Sequence, residues 1–407
     1  MTSPTPRNRA LLAAAVAAVL TFGVIGQASA QRSLEERKQA SERKASKSAK
    51  VEKTEAAVLY PQATREAPEP ELAATTAKSL EGMTALYQAG ETDQARATAD
   101  QVIADPEASA YAKAYAAQIA AQIAYTGGDS NAAAQYYAQA VELDSLDNNS
   151  HYNAMFNLGQ LQQANGKPTE ALATIERFLL ETKSEDPSHL MMKGQALYLA
   201  KRYPEAITAL EQAIAASEAP KPEWKALLMQ AQVEGGQGNA ALQTAEQVAA
   251  AQPDDKRAQM NLAILYQQAG TPEKAIAVLE KLRTAGKLTE ASEYQQLYVT
   301  YINMKGQETQ AIKVIEEGLQ KGILQPDFNT QVALAQSYYF SGQTAPALEA
   351  YQKAAPLDTD GSTYLNLAKI LLNEGRKDEA RAAAEQAKAK GLEQPDQANS
   401  IIQSAGG

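Results

Sequence analysis

The sequence predicts an all-α protein built from repeats, on three observations. Ala, Gln, Glu, Leu and Lys dominate the composition, aromatic residues make up only 6%, and β-branched runs are short and scattered. One alanine recurs at a near-constant interval along most of the chain. A glycine stands five residues before almost every one of those alanines. A chain of 407 residues could hold two or three ordinary domains, but a repeat array makes one elongated body of the same length.

The N-terminus reads as an address. Arg7 and Arg9 precede an apolar stretch from Ala10 to Gly26, and Gln27-Ala28-Ser29-Ala30-Gln31 follows. Basic start, apolar core and small residues at a cleavage site are the order of a secretory signal, so residues 1–30 are expected to be removed after Ala30. An uncleaved anchor is the alternative, since 17 apolar residues sit at the lower limit for crossing a bilayer. Without cysteine the new N-terminus cannot carry a bacterial lipoprotein anchor, and no later segment is apolar enough to span. The expectation is a protein without stable membrane insertion after cleavage, which in a Gram-negative cell means periplasm.

Residues 31–70 come next, with Arg32, Arg37, Lys38, Arg43, Lys44, Lys47, Lys50 and Lys53 set against Glu35, Glu36, Glu42 and Glu52. Too few apolar residues are present to pack, and Pro61, Pro68 and Pro70 close the stretch, so a basic, mobile, partly helical tether is expected.

The repeats occupy residues 71–407. The recurring alanines are Ala95, Ala133, Ala171, Ala206, Ala241, Ala275, Ala311, Ala347 and Ala380, in steps of 38, 38, 35, 35, 34, 36, 36 and 33. Gly90, Gly128, Gly166, Gly236, Gly270, Gly306, Gly342 and Gly375 precede eight of them, and Lys201 takes the place in the fourth repeat. Glycine ends a first helix because its missing Cβ admits the left-handed turn. A second helix then starts at Pro168, Pro204 or Pro272, with Glu170, Glu205 or Glu273 near the positive end of its dipole. The alanine marks where the two helices approach most closely, and a larger residue would push them apart. Seven residues before the turn a second small residue recurs as Ala121, Gly159, Gly194, Ala263, Ala335 and Ala368. In repeat five Pro220-Lys221-Pro222 and Gly235, Gly236 and Gly238 mark the least helical unit and put a candidate joint at 217–239, a plain long turn being the alternative. Trp224 is expected to pack between repeats there, and Gln394 to Gln403 to form a capping helix.

These residues resemble the tetratricopeptide-repeat (TPR) family over about Leu72 to Leu392. Tyr136-Tyr137-Ala138-Gln139-Ala140-Val141-Glu142-Leu143-Asp144 is similar to that family's second helix, and Met260-Asn261-Leu262-Ala263-Ile264-Leu265-Tyr266 to its first. The resemblance implies a right-handed superhelical solenoid of about nine helix-turn-helix repeats that binds peptides or partner proteins on its concave face. Repeats one and five depart from the pattern, with Met83 and Met229 at the small position.

Composition excludes several chemistries. No cysteine means no disulfide, thiolate nucleophile or cysteine-held metal. The two histidines, His151 and His189, fall at helix starts in different repeats, and Gly235-Gly236-Gln237-Gly238 lacks the lysine and strand of a phosphate loop. Carboxylates are expected on solvated faces. No catalytic residue, metal or cofactor is predicted. The net charge of −10 becomes −12 without the leader and −14 for residues 70–407, which disfavours nucleic acid and favours basic partners.

With the turn residue taken as the fifteenth position, the family's resemblance places the ninth on the concave surface. Gln122, Gln160, Gln195 and Gln230 hold it in four successive repeats, and Gln336 later. A glutamine amide both donates and accepts, so a row of them can pair with the backbone of an extended peptide. Three positions on, Tyr125, Tyr198 and Tyr339 add flat surface for proline or aliphatic side chains. The competing reading is that glutamine is simply abundant.

A narrower resemblance covers Thr289 to Ile402. The runs Gly322-Ile323-Leu324-Gln325-Pro326-Asp327-Phe328-Asn329-Thr330, Tyr338-Tyr339-Phe340, Ala354-Ala355-Pro356-Leu357-Asp358 and Tyr364-Leu365-Asn366-Leu367-Ala368 are similar to bacterial TPR proteins associated with TonB energy-transduction systems. This implies a periplasmic accessory to such a complex, with a basic or proline-rich partner such as a TonB-like arm. A cell-wall or division scaffold and a holdase chaperone are the alternatives.

Overall fold

The structure, a computed structural model, describes residues 57–405. The expected leader, residues 31–56 of the expected tether and the last two residues lie outside that range. Among the described residues the regular elements are nineteen α-helices and one 3-10 turn, with no strand. Nine helix-turn-helix pairs follow one another. They are α1 (Ala74–Gln88) and α2 (Thr92–Ala104), α3 (Ala110–Thr126) and α4 (Ser130–Glu142), α5 (Asn148–Ala164) and α6 (Pro168–Thr182), α7 (Pro187–Leu199) and α8 (Tyr203–Ala216), α9 (Pro222–Glu234) and α10 (Gly238–Ala251). The rest are α11 (Lys256–Gln268) and α12 (Pro272–Thr284), α13 (Ala291–Ile302) and α14 (Glu308–Gln320), α15 (Phe328–Phe340) and α16 (Thr344–Ala354), α17 (Ser362–Asn373) and α18 (Lys377–Ala389), closed by α19 (Asp396–Ala405). They form two compact units divided between Thr244 and Ala245, inside α10.

The local chemistry of the repeat is as the sequence predicts. All eight turn glycines have positive φ, between 72° and 85°, and Lys201 takes the same left-handed conformation at 60°. The nine recurring alanines are all fully buried. So are Ala121, Ala263, Ala335 and Ala368 at the small position. Gly194 shows why size matters there: a Cβ on it would stand 2.6 Å from Leu210 Cδ2 and 3.2 Å from the Leu210 backbone nitrogen. Met83 and Met229 are also buried, so in repeats one and five a flexible unbranched side chain takes up the room. Aspartates cap several helices, Asp147, Asp186, Asp255 and Asp327 at first helices and Asp129 at the second helix α4, each accepting an amide N–H of the first turn.

Two expectations need correction in the fold. Repeat five is not the least helical: α9 has 13 residues and α10 has 14, as many as their neighbours. Its breakers sit at helix ends, with Pro222 in the first turn of α9 and Gly236 in the turn itself, where they terminate helices without interrupting them. Trp224 is half-buried against the core built by α6 to α9. Not every carboxylate faces solvent either. Glu293 is buried at the start of α13, where it accepts the Thr289 and Glu290 amides and pairs with Lys256.

The larger difference concerns residues 57–70, which the sequence places in the mobile tether. They run without helix along the N-terminal unit and are pinned to it, Tyr60 being 9% exposed and the Arg65 side chain likewise 9%. The physical reason is that two side chains, one aromatic and one cationic, find complementary surfaces far along the chain.

In the C-terminal unit α19 buries Ala398, Ile401 and Ala405, and it joins the core of α17 and α18 through Ala398 and Ile401. It is the expected cap, shifted slightly along the chain.

Candidate peptide-binding face

Within the N-terminal unit successive first helices touch one another, α1 against α3, α5 against α7, and α7 against α9. The ninth position therefore recurs along one face. Gln122, Gln160, Gln195 and Gln230 are all half-buried there. Their amides are partly engaged by neighbours. Tyr137 donates its hydroxyl hydrogen to Gln122 Oε1 at 3.4 Å and accepts from Asn157 Nδ2 at 3.4 Å. The Gln230 side chain bonds the Tyr198 hydroxyl in the preceding repeat.

The tyrosines divide. Tyr125 is half-buried against the core between α3 and α6. Tyr198 is sunk against the α6 to α9 core, its ring centroid 5.8 Å from that of Tyr203. Burial, with the Glu234 charge and Tyr203 nearby, pushes its hydroxyl pKa up to about 12. Gln336 and Tyr339 belong to the C-terminal unit. Gln336 is half-buried, whereas Tyr339 is exposed beside the exposed Phe340, ring centroids 5.5 Å apart and edge to face.

Other glutamines of the first helices tie repeats together. Gln163 Nε2 donates to the Met192 carbonyl at 3.1 Å, and in the C-terminal unit Gln296 donates to Gln267, which donates to Thr300. Such ties use the same dual chemistry as peptide recognition, which is why residue type alone does not separate the two roles. Lys369 holds the ninth position of the last repeat, and burial pulls its pKa below the usual lysine value.

Sequence reasoning missed the contacts of residues 57–66. Tyr60 lies among Tyr152, Phe178 and His189, with ring centroids at 5.3, 5.6 and 6.4 Å, and donates to Asn153 Oδ1 at 3.1 Å. Asn149 reads the backbone, accepting the Leu59 N–H at 2.9 Å and donating to the Ala57 carbonyl at 2.9 Å. Thr64 N–H donates to the Glu181 carbonyl at 2.9 Å. Arg65 meets Asp144 Oδ1 at 2.6 Å, Asn148 Oδ1 at 2.7 Å, and the Asp144 and Leu146 carbonyls at 2.8 and 3.0 Å. One signal was present in the chain: Tyr60 is the sole aromatic residue between Phe22 and Tyr87.

His151, expected at a helix end, is there but fully buried. Burial and the Arg65 charge lower its pKa to about 4, against the opposing pull of Asp144 at 3.5 Å. Among the described residues no three His, Asp or Glu side chains converge as a metal site, and no helix is long and apolar enough to cross a membrane.

Family models described as tetratricopeptide repeat match residues 120–179 and 156–220, 197–260 and 232–298, 361–389, and 83–101. Together they cover more than half of the chain. No curated protein matches. Among solved structures, a tetratricopeptide repeat protein from Parabacteroides merdae is 17% identical and covers 62% of this chain and 96% of its own, with a TM-score of 0.40. The MamA protein is 20% identical over 44% of this chain and 96% of its own, TM-score 0.38. A putative kinesin light chain with TPR-like repeats from Podosopora anserina is 25% identical over 43% and 95%, TM-score 0.36.

Proposed function

Because the chain belongs to the tetratricopeptide-repeat family, whose repeats indicate a protein-interaction scaffold, we propose that it is a non-catalytic adaptor holding an extended, basic segment of a partner against its first helices. The observation that carries this is the row of half-buried glutamines at one register in four successive repeats of the N-terminal unit. A glutamine amide carries both donor and acceptor groups, and the register recurs at a spacing set by the repeat, so the row suits a peptide backbone in extended form. An acidic repeat body, −14 over residues 70–407, selects for lysine-rich and proline-rich chains, which lose little entropy on binding because they are already extended. The resemblance of residues 289–402 to TonB-associated TPR proteins, together with the leader-like N-terminus, supports a periplasmic setting and a TonB-like arm as that partner.

The test uses the full chain and a synthetic lysine–proline arm. Replacing Gln122, Gln160, Gln195 and Gln230 by alanine should weaken binding on the order of tenfold or more while helicity is kept, since alanine has the higher helix propensity. Wild-type binding should also weaken between low and physiological salt, mainly through slower association, because exposed charge is screened over about 8 Å. Unchanged affinity in the quadruple variant would return the glutamines to inter-repeat ties, and salt-independent binding would remove the electrostatic part.

A further inference from the structure

We propose that the cleft between α14, α15 and α16 in the C-terminal unit is a docking seat for an exposed arginine side chain of a partner protein, whose guanidinium lies between the Glu316 and Glu349 carboxylates. The seat stands apart from the glutamine row proposed above, since it lies in the other unit and shares no residue with the four glutamines that carry that reading.

The repeat supplies its own comparison. Three times in succession a tyrosine of a first helix donates to a glutamate of the second helix before it: Tyr266 to Glu246 at 2.8 Å, Tyr301 to Glu280 at 2.9 Å, and Tyr338 to Glu316. The glutamates share one register, five residues after Ala241, Ala275 and Ala311. At the first two pairs the chain provides a cation of its own. Lys274 Nζ lies 5.1 Å from the centre of the Tyr266 ring. The Arg283 guanidinium meets Glu280 at 2.7 Å and also bonds Glu317, one arginine spanning two carboxylates. At the third pair both sources are replaced by apolar residues. Leu319 stands at the register of Arg283, eight residues after the recurring alanine, and Pro346 at that of Lys274, one residue before the next. A second carboxylate is added, because Glu349 occupies the register that holds Ala277 and Lys313 in the two preceding repeats.

What results is a cleft of about 390 Å³, matching the one of about 380 Å³ that contains Arg283. Half-buried Leu319, Leu334 and Pro346 line it, and Glu316 and Glu349 stand exposed at its rim. Burial, the bond to Glu316 and the nearby Glu349 charge push the Tyr338 hydroxyl up to about 12, so the phenol stays neutral and both negative charges face the cleft. Beyond the Tyr338 bond, neither glutamate enters a hydrogen bond or ion pair among the described residues. Lys353, one turn past Glu349, lines the cleft and pairs with neither. The apolar walls fit the methylene stem of a long basic side chain, and a planar guanidinium can serve two carboxylates at once, as Arg283 does, where an ammonium serves as a point charge. Charge also selects between occupants. A second copy of this acidic body, −14 over residues 70–407, is repelled, whereas a basic partner is drawn in.

The experiment uses the full chain with methyl-labelled leucines, the Leu334 signal being assigned through Leu334→Ile. A blocked synthetic peptide of one arginine flanked by alanines is titrated to millimolar concentration, and the Leu334 signal should shift and saturate. The lysine version should bind roughly threefold more weakly or worse, and the neutral citrulline version should leave the signal unmoved. Glu316→Gln and Glu349→Gln should each weaken the arginine peptide, and together abolish its effect. Leu319→Arg restores the arrangement of the preceding repeat, so the chain's own guanidinium should occupy the seat and block the peptide; if that variant fails to fold, Pro346→Lys takes its place. The Gln122, Gln160, Gln195 and Gln230 alanine variant should bind this probe as wild type does, which keeps the test separate from that of the glutamine row. No saturable shift in the wild-type chain, equal binding of the citrulline or lysine peptide, or unchanged binding by the folded glutamate double variant would overturn the proposal. A Leu334 shift that grows with protein concentration alone and is lost in Glu316→Gln would overturn the partner and give the seat to a second copy.

Discussion

Acid should destabilise this protein through His151, and the size of the effect follows from the structure. The ring is fully buried, neither nitrogen has a hydrogen-bond partner among the described residues, and the charges facing it are Arg65 and Arg177 against Asp144 and Glu181. Burial and the arginines win, and the pKa falls from 6.5 to about 4. A base whose folded pKa is depressed binds its proton more readily when unfolded, so stability is full above pH 6.5, declines as pH falls toward 4, and has lost the whole contribution below that. The full difference of about 2.5 units corresponds to about 3.4 kcal/mol, and at pH 5 the loss is about 2 kcal/mol. His151→Leu removes the titration without breaking a hydrogen bond, so it should stay within about 1 kcal/mol of wild type at pH 7.5. Urea unfolding followed by circular dichroism at pH 7.5, 6 and 5 makes the comparison. For an m-value of about 2 kcal/mol/M, the wild-type midpoint should fall about 1 M further than that of the variant between pH 7.5 and 5. His189, whose pKa burial also lowers, acts in the same direction in both proteins and cancels. Parallel pH profiles for the two proteins would refute the assignment to His151.

Three further outcomes are expected. Gly194→Ala should destabilise by about 1–2 kcal/mol, because the new Cβ overpacks against buried Leu210 by more than the helix propensity returns, whereas Gly82→Ala, open on all sides in α1, should stabilise by up to about 1 kcal/mol; thermal unfolding of both variants checks the contrast. Lys201→Gly should raise stability by about 1 kcal/mol, since it relieves the one left-handed repeat turn that lacks glycine, and a lower unfolding midpoint would contradict the turn's role. N-terminal sequencing of protein recovered from its native cell should begin at Gln31, and an intact Met1 would remove the export reading.

The candidate faces differ in how far they could be read from residues. The glutamine row was legible because one register repeats, yet its chemistry was not: Gln230 bonds Tyr198, and Gln163, off the row, ties to the next repeat. Tyr198 offered itself as a flat surface and proved half-sunk in a core, while Tyr339 at the same register is exposed. Equivalent positions meet different neighbours, and the period carries no information about them.

By itself the sequence determined the repeat: the helix pairs, the left-handed turns at eight glycines and Lys201, the nine buried alanines and the cap. Each of these is local, fixed by the conformations a residue admits and by the volume available where two adjacent helices cross, and repetition multiplies a weak local signal. Tertiary structure decided what has no period. It placed Tyr60 against Tyr152 and Phe178, closed Arg65 onto Asp144 across 79 residues, buried His151 and divided the units inside α10. Arg65 read as one more charge in a solvated basic stretch, because its carboxylate and carbonyl partners come together only once α4 has ended and α5 has begun. Such contacts depend on where distant segments meet in space, and composition and spacing do not encode that.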